Sequence, residues 1–230
     1  MIRDDEKYYI DGYFGIWRTV GGKRIFIRDG EELSAAMIRS GKFVNESGNN
    51  LEAHKPGDKV FITEQAIEKV KQIDMEGYEP LSSKIKEVHQ GILKISKEKN
   101  NSNEVAKIIG IDGKESDYIL GGQSEVNIEA NADVYHWLRN AEPLTLVICH
   151  NHPGLSYFSV KDLFIFFKYD SVGAMTVITN NGNCFAIYKT NKYVYKEFVP
   201  VIRELSGKYQ KDDFVDKLIK AGYNFGIRRK

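Results

Sequence analysis

A single apolar run, from Leu144 to Cys149, sets the strongest constraint on how this chain can fold. The run LTLVIC is almost uninterrupted and is preceded by Pro143. Such a run is typical of a strand that is buried within a sheet. Segments with helical spacing lie on either side of it in the chain. We therefore predict the α/β (α+β) class, with a mixed sheet flanked by helices.

Two histidines follow this run directly. His150 and His152 are two residues apart, and side chains at i and i+2 of an extended segment point to the same face. Both imidazoles can therefore converge on one metal ion just past the end of the strand. A carboxylate from the next element would supply a third ligand and leave the fourth position of a tetrahedral site for water.

The segment after the histidines predicts a turn and then a helix. Pro153 and Gly154 indicate the turn, and Ser159 followed by Asp162 begins an apolar helical pattern. This spacing puts Asp162 in the first helical turn, close to the histidines if the loop folds back. The same Ser-x-x-Asp spacing is that of a helix capping box, so a structural role and a role at a metal site both stay open for these two residues.

The motif HNHP, which begins at His150, together with Ser159 and Asp162 resembles the JAMM motif of the JAB/MPN metalloproteases, closest to the RadC-like branch. The resemblance covers residues 104–190, well under half the chain. It implies a JAB/MPN-like sheet, a zinc ion (Zn²⁺) held by His150, His152 and Asp162, and hydrolysis of a peptide or isopeptide bond. One departure is the loop 153–158, which is one residue shorter than the commoner JAMM spacing.

The resemblance also implies a catalytic glutamate on an upstream strand. Glu104 opens the segment EVAKIIGIDG, an apolar-rich strand pattern that ends in a turn signal, and it lies where RadC-like sequences carry this glutamate. The alternative for Glu104 is a solvated residue at a helix-to-strand junction. Three further candidates lie in polar, turn-like stretches: Glu115, Glu125 and Glu129.

The expected chemistry is that of a zinc metallopeptidase or isopeptidase. Zinc lowers the pKa of a water that it binds from about 15.7 toward about 7. Glu104 would take the water proton and pass it to the leaving amine. Ser159 would hydrogen-bond the developing oxyanion, which is worth about 3 kcal/mol where such donors have been removed.

Composition limits the partners. The chain of 230 residues has a formal net charge of +1, which argues against a strongly polyanionic partner, and its basic end, 228–230, is predicted to be a short tail. Cys149 and Cys184 lie in apolar runs, which predicts buried thiols and a reducing compartment. The apolar runs are too short for a membrane span and the charged start MIRDDEKYYI is not a signal peptide, so a cytosolic protein without a membrane partner is expected.

The chain divides into four predicted segments. Residues 1–58 form an accessory part with a hairpin that turns at Gly21-Gly22, a helix over Glu31–Arg39 and a polar linker over 44–58. Residues 59–103 are a helical segment, 104–190 the catalytic core and 191–230 C-terminal helices. The helices expected around the core are Thr63–Met75, Ser82–Lys97, Ala132–Asn140, Tyr193–Leu205 and Asp212–Ala221. The remaining histidines, His54, His89 and His136, are predicted to be surface or packing residues.

Residues 15–43 and the helix leading into NNSNEV resemble segments of phage minor-head or head-morphogenesis proteins. This resemblance implies a phage or prophage origin and a bacterial host cytoplasm. Three functions stay open: a zinc peptidase or isopeptidase acting on a phage or host protein or peptide, a phage assembly module with a JAB-like fold, and a RadC-like nucleic-acid-associated protein. The near-neutral charge argues against the third.

Overall fold

A computed structural model of the chain describes residues 7–10, 13–20, 23–28, 59–206 and 211–230. The chain divides into two compact units between Pro56 and Gly57. In the described residues, no helix combines the length and the apolar character needed to cross a membrane.

The first unit contains an antiparallel sheet of three strands in the order β1-β2-β3, which are β1 (Lys7–Ile10), β2 (Tyr13–Val20) and β3 (Lys23–Arg28). The predicted hairpin is confirmed, because β2 and β3 pair on either side of Gly21-Gly22. Strand β1 is an addition that the sequence did not predict. The predicted helix over Glu31–Arg39, the linker over 44–58 and His54 lie outside the described residues.

The second unit holds six α-helices and six strands among its described residues. The helices are α1 (Glu64–Glu68), α2 (Ser82–Lys99), α3 (Ala132–Asn140), α4 (Val160–Lys168), α5 (Tyr195–Ser206) and α6 (Lys211–Gly222). The strands are β4 (Val105–Gly110), β5 (Ile119–Leu120), β6 (Leu146–His152), β7 (Val172–Thr179), β8 (Cys184–Lys189) and β9 (Ile227–Arg229).

These strands form one mixed sheet in the order β5-β4-β6-β7-β8-β9. Strands β6 and β7 are parallel, and α4 is the crossover between them, whereas the other neighbours are antiparallel. All seven residues of β6 are buried, as the apolar run predicts. The chain therefore belongs to the mixed α/β class with a helix-flanked sheet.

Each face of the sheet carries its own hydrophobic core. Helices α3, α4, α5 and α6 pack on one face, and α1 and α2 pack on the other. Strand β6 alternates between the two cores: Leu146 and Ile148 face α4, whereas Val147 and Cys149 face α2. This alternation decides where the polar residues at the end of β6 point.

Two predictions for this unit are wrong. The helix predicted over Thr63–Met75 ends at Glu68, and residues 70–75 have no regular secondary structure. Val70 and Met75 are buried against α2 all the same, so tertiary packing replaces the helical periodicity there. The predicted basic tail is in fact strand β9 at the sheet edge, because its backbone completes the hydrogen bonds of β8.

Candidate metal centre

The two histidines lie within β6 rather than just past its end. Strand β6 continues to His152 because it pairs with β7 as far as His152↔Thr179. The strand alternation turns both rings toward α4, and their Nε2 atoms are 3.1 Å apart. His152 Nδ1 lies 3.1 Å from the Ser156 carbonyl oxygen, which orients that ring.

Helix α4 brings Asp162 to the histidines. One Asp162 carboxylate oxygen is 3.2 Å from His150 Nε2, and the other is 3.3 Å from His152 Nε2. Ser159 caps the helix in a reciprocal capping box: its hydroxyl accepts from the Asp162 N–H at 3.2 Å, and its own N–H donates to the carboxylate at 2.6 Å. Asp162 therefore serves the cap and the histidine pair at once, so the two roles left open by the sequence do not compete.

The nitrogen and oxygen atoms of this cluster are spaced closely enough to surround one metal ion. Zinc ligands lie at about 2.0–2.2 Å from the metal, so neighbouring ligand atoms in a tetrahedral site are about 3.3 Å apart. The two ring nitrogens, 3.1 Å apart, are close to this spacing, and each lies 3.2 or 3.3 Å from a different oxygen of the Asp162 carboxylate. In the described part of the chain, His150, His152 and Asp162 form the one group of histidine, cysteine and acidic residues close enough to share an ion. The buried Nδ1 of His150 has no hydrogen-bond partner there, in contrast to Nδ1 of His152.

The charges within the cluster keep the Asp162 carboxylate ionised and favour the protonated form of His152. Burial raises the pKa of Asp162, but the charge of His150 and the hydrogen bonds from both histidines outweigh it and hold this pKa well below its usual value. Burial lowers the pKa of His152, but the Asp162 carboxylate and the charge of Glu104 raise it above its ordinary value. A bound cation would meet an ionised carboxylate already in place.

Glu104 lies near the histidines, directly before β4. The pairing of β4 with β6 ends at Ala106↔His150, two residues after Glu104. The charges of Glu104 and His152 influence each other, and both residues line the same cavity. Glu104 is only 7% exposed, and this burial raises the pKa of its carboxyl to about 7, although the charge of His152 opposes the shift.

The glutamate, His152 and Asp162 line one cavity of about 630 Å³. One wall consists of residues 123–129, and the other is the start of α4 with Ser159, which is exposed there. The Ser159 oxygen accepts the cap hydrogen bond, and its hydroxyl proton can point into the cavity. Two ion pairs connect the segment 123–129 with α4. Lys161 pairs with Glu125, and Lys168 pairs with Glu129 at 2.6 Å.

The other candidate glutamates are engaged elsewhere. Glu115 pairs with Lys84 and with Lys107 and does not line the cavity. Glu125 and Glu129 do line it, but each pairs with a lysine of α4. Glu104 thus stands out among the four as a buried carboxyl with a raised pKa in the cavity that His152 and Asp162 also line.

The remaining singled-out side chains lie apart from the cluster. His89 is fully buried and its Nε2 is 2.8 Å from the Thr176 hydroxyl, whereas His136 is exposed. Cys149 faces α2, away from His150, as predicted. Cys184 is only partly buried, because it lies at the start of the edge-proximal strand β8.

Sequence reasoning missed two buried amides behind the histidines, Asn151 and Asn180. Both are fully buried and they hydrogen-bond to each other at 2.7 Å. The available signal was a polar residue between the two histidines, at a position where the strand alternation points it into the core under α2.

Comparison of the chain with protein-family models, with curated proteins and with solved structures finds no match in any of the three.

Proposed function

We propose that this chain is a zinc-dependent hydrolase that cleaves a peptide or isopeptide bond, with a JAB/MPN-like core of the RadC-like branch. One observation carries the proposal: the His150 and His152 ring nitrogens are 3.1 Å apart and each lies within 3.3 Å of an Asp162 oxygen, beside a cavity that Glu104 also lines. This donor set, two imidazoles and one carboxylate, is one that catalytic zinc sites use with a fourth position open.

The chain's own residues divide the remaining work. A zinc ion held by these three side chains would acidify water and polarise a substrate carbonyl. Glu104 accepts a proton at its carboxylate and returns it to the leaving amine. A carboxyl whose pKa lies at about 7 can both accept and release a proton near neutral pH, so its burial suits this role.

Ser159 is the proposed hydrogen-bond donor to the substrate oxygen. Its backbone N–H and its hydroxyl oxygen are both committed to Asp162 in the capping box. The hydroxyl position is therefore held by the helix start, and its proton is directed to an acceptor in the cavity.

The cavity is suited to a polypeptide segment. Its volume of about 630 Å³ lies within the range of ligand clefts. Apolar side chains of α4 line it, including Ile165 and Phe164, whose side chain is 66% exposed. A protein or peptide substrate, from phage or host, is therefore the proposed partner.

Metal analysis of purified protein tests the proposal most directly. We expect about one zinc per chain, because the three ligands are prearranged. His152→Ala should lose the zinc, whereas Glu104→Gln should retain it, since Glu104 is not a ligand. His136→Ala is the matched control, because it removes an exposed histidine on α3 and should leave the zinc content unchanged.

Hydrolysis is then assayed with a proteome-derived peptide library, in which mass spectrometry identifies new termini. The zinc-loaded wild type should generate them, and Glu104→Gln and chelator-treated protein should not. A wild-type protein that carries no zinc and takes up none on addition would rule out the proposed site.

A further inference from the structure

Asn151 lies between the two proposed ligands and points to the opposite face of the sheet. It is fully buried, and its side-chain oxygen accepts a hydrogen bond from the Val105 N–H at 2.7 Å. Its amide nitrogen donates to Asn180 Oδ1 at 2.7 Å and to the Asn103 carbonyl at 3.2 Å. The orientation of the amide follows from these partners, because the Val105 N–H needs an acceptor and the two oxygens need a donor.

Asn180, which directly follows β7, accepts a hydrogen bond from the Asn151 amide. Its side-chain nitrogen donates to the Val60 carbonyl at 2.7 Å and to the Ser102 carbonyl at 2.8 Å. Its backbone N–H donates to the carbonyl of His152 at 3.0 Å. The two asparagines thus connect the end of β6 with the turn that leads into β4 and with the segment at Val60.

The peptide unit that follows Glu104 is held at both of its polar atoms. Its N–H, that of Val105, donates to Asn151, and its carbonyl oxygen, that of Glu104, accepts from Asn100 Nδ2 at 2.8 Å. The backbone ladder between β4 and β6 reaches only Ala106↔His150. At Val105, one residue before Ala106, the side chain of Asn151 provides the hydrogen bond between β4 and β6 that the backbone provides elsewhere.

We propose that Asn151 is a positioning residue that sets the place of Glu104 relative to His150 and His152, with Asn180 holding the amide of Asn151 in the required orientation. This inference rests on the proposed function. A buried amide in a strand costs free energy unless its polar atoms are paired, and here its oxygen and nitrogen both are. An apolar residue at this place would pack in the same core but would leave the Val105 N–H without its acceptor.

Cobalt-loaded protein provides a test that needs no substrate. Co²⁺ bound by the three ligands gives pseudocontact shifts in the NMR signals of nearby backbone amides, and these shifts report position relative to the metal. In Asn151→Leu we expect changed shifts for Val105, whose N–H loses its acceptor, and for Gly122, whose carbonyl accepts from the Glu104 N–H. Those of Ile109, farther along β4, should stay the same. Hydrogen exchange of the Val105 amide should become faster by about tenfold or more, which corresponds to one lost buried hydrogen bond.

Two further variants separate positioning from a general loss of stability. Asn151→Asp keeps an acceptor for the Val105 N–H but loses the donor to Asn180 Oδ1, so protection of the Val105 amide should lie between that of wild type and that of Asn151→Leu. Ser171→Ala removes a buried hydrogen bond to the Leu138 carbonyl at the opposite end of β7 and should leave all the shifts near Glu104 unchanged. Co²⁺ affinity should stay within about threefold in all three, because the three ligand side chains do not bond to Asn151.

On any peptide that the zinc-loaded wild type cleaves, Asn151→Leu should lower kcat by about 10- to 100-fold with little change in KM, as expected for a displaced proton acceptor. Unchanged Val105 shifts and exchange in a folded, cobalt-loaded Asn151→Leu protein would overturn the inference. If Asn151→Leu does not fold, Asn151→Ala takes its place, and unchanged Val105 shifts and exchange in that variant overturn the inference. Wild type without any pseudocontact shift would overturn the metal site itself and, with it, both proposals.

Discussion

Ser159 and Asp162 hold each other in a capping box while the same Asp162 carboxylate reaches both histidine rings. The start of α4 is thereby coupled to the proposed ligand set. A change at the cap should consequently affect metal binding, although Ser159 contacts neither histidine.

Replacing Ser159 by Ala should lower the free energy of unfolding by about 1 kcal/mol, because the helix loses its N-cap acceptor. It should also weaken zinc binding by about tenfold, because the Asp162 carboxylate is less firmly oriented. Denaturant unfolding and competition with a chromophoric chelator measure the two effects. Ser159→Thr retains a capping hydroxyl and should restore both; equal zinc affinity for Ala and wild type would contradict the coupling.

Zinc should stabilise the fold strongly. The three ligands come from β6 and α4, and they meet only in the folded chain. Free zinc at about 100 times its Kd should add about 2.7 kcal/mol to the free energy of unfolding. Thermal melts with zinc and with a chelator measure this difference, and it should vanish in His152→Ala but persist in His136→Ala. A zinc effect of equal size in His152→Ala would place the bound metal elsewhere.

Glu104 should make the metal-free protein less stable as the pH rises. Its pKa is about 7 in the folded chain and 4.5 ordinarily, so the folded state binds more protons between these values. Stability should therefore fall across this window by up to about 1.4 kcal/mol per pH unit and level off above it. Chelator-treated Glu104→Gln should lack this slope and should be more stable than wild type above neutral pH.

Denaturant titrations at several pH values check the Glu104 prediction. Glu142→Gln, which removes an exposed glutamate, is the control and should keep the wild-type slope. Parallel pH profiles for wild type and Glu104→Gln would show that Glu104 is not titrating in this range.

Lys189 should produce the opposite dependence at higher pH. It is 1% exposed, its ammonium donates to the Tyr169 carbonyl at 2.9 Å, and burial lowers its pKa from 10.5 to about 7. The unfolded chain then binds more protons between these two values, so stability should rise with pH by up to about 1.4 kcal/mol per unit. Lys189→Met should abolish the rise and the exposed Lys192→Met should not, as measured by unfolding between about pH 7 and 10. A rise that survives in Lys189→Met would have to come from another group.

Several parts of the fold and of the site could be read from local sequence. The apolar run into His150 predicts β6, the Gly21-Gly22 turn predicts the β2–β3 hairpin, and Ser159 predicts the start of α4. These features depend on side-chain periodicity and on hydrogen bonds within a few residues, which the order of residues largely specifies. The helix predicted over Thr63–Met75 shows where local sequence misleads. Its later apolar residues are buried in the core under α2, although the helix ends at Glu68.

The sequence by itself determined that two imidazoles share a face at the end of a buried strand, with a capped carboxylate after them. It did not determine that Glu104 comes close to His152, because that depends on the register between β4 and β6. It also did not reveal the pair of Asn151 and Asn180, whose partners lie up to 120 positions away in the chain. Register and buried polar pairing between distant segments arise only when the sheet and its two cores pack, and for that reason the tertiary structure alone decided them.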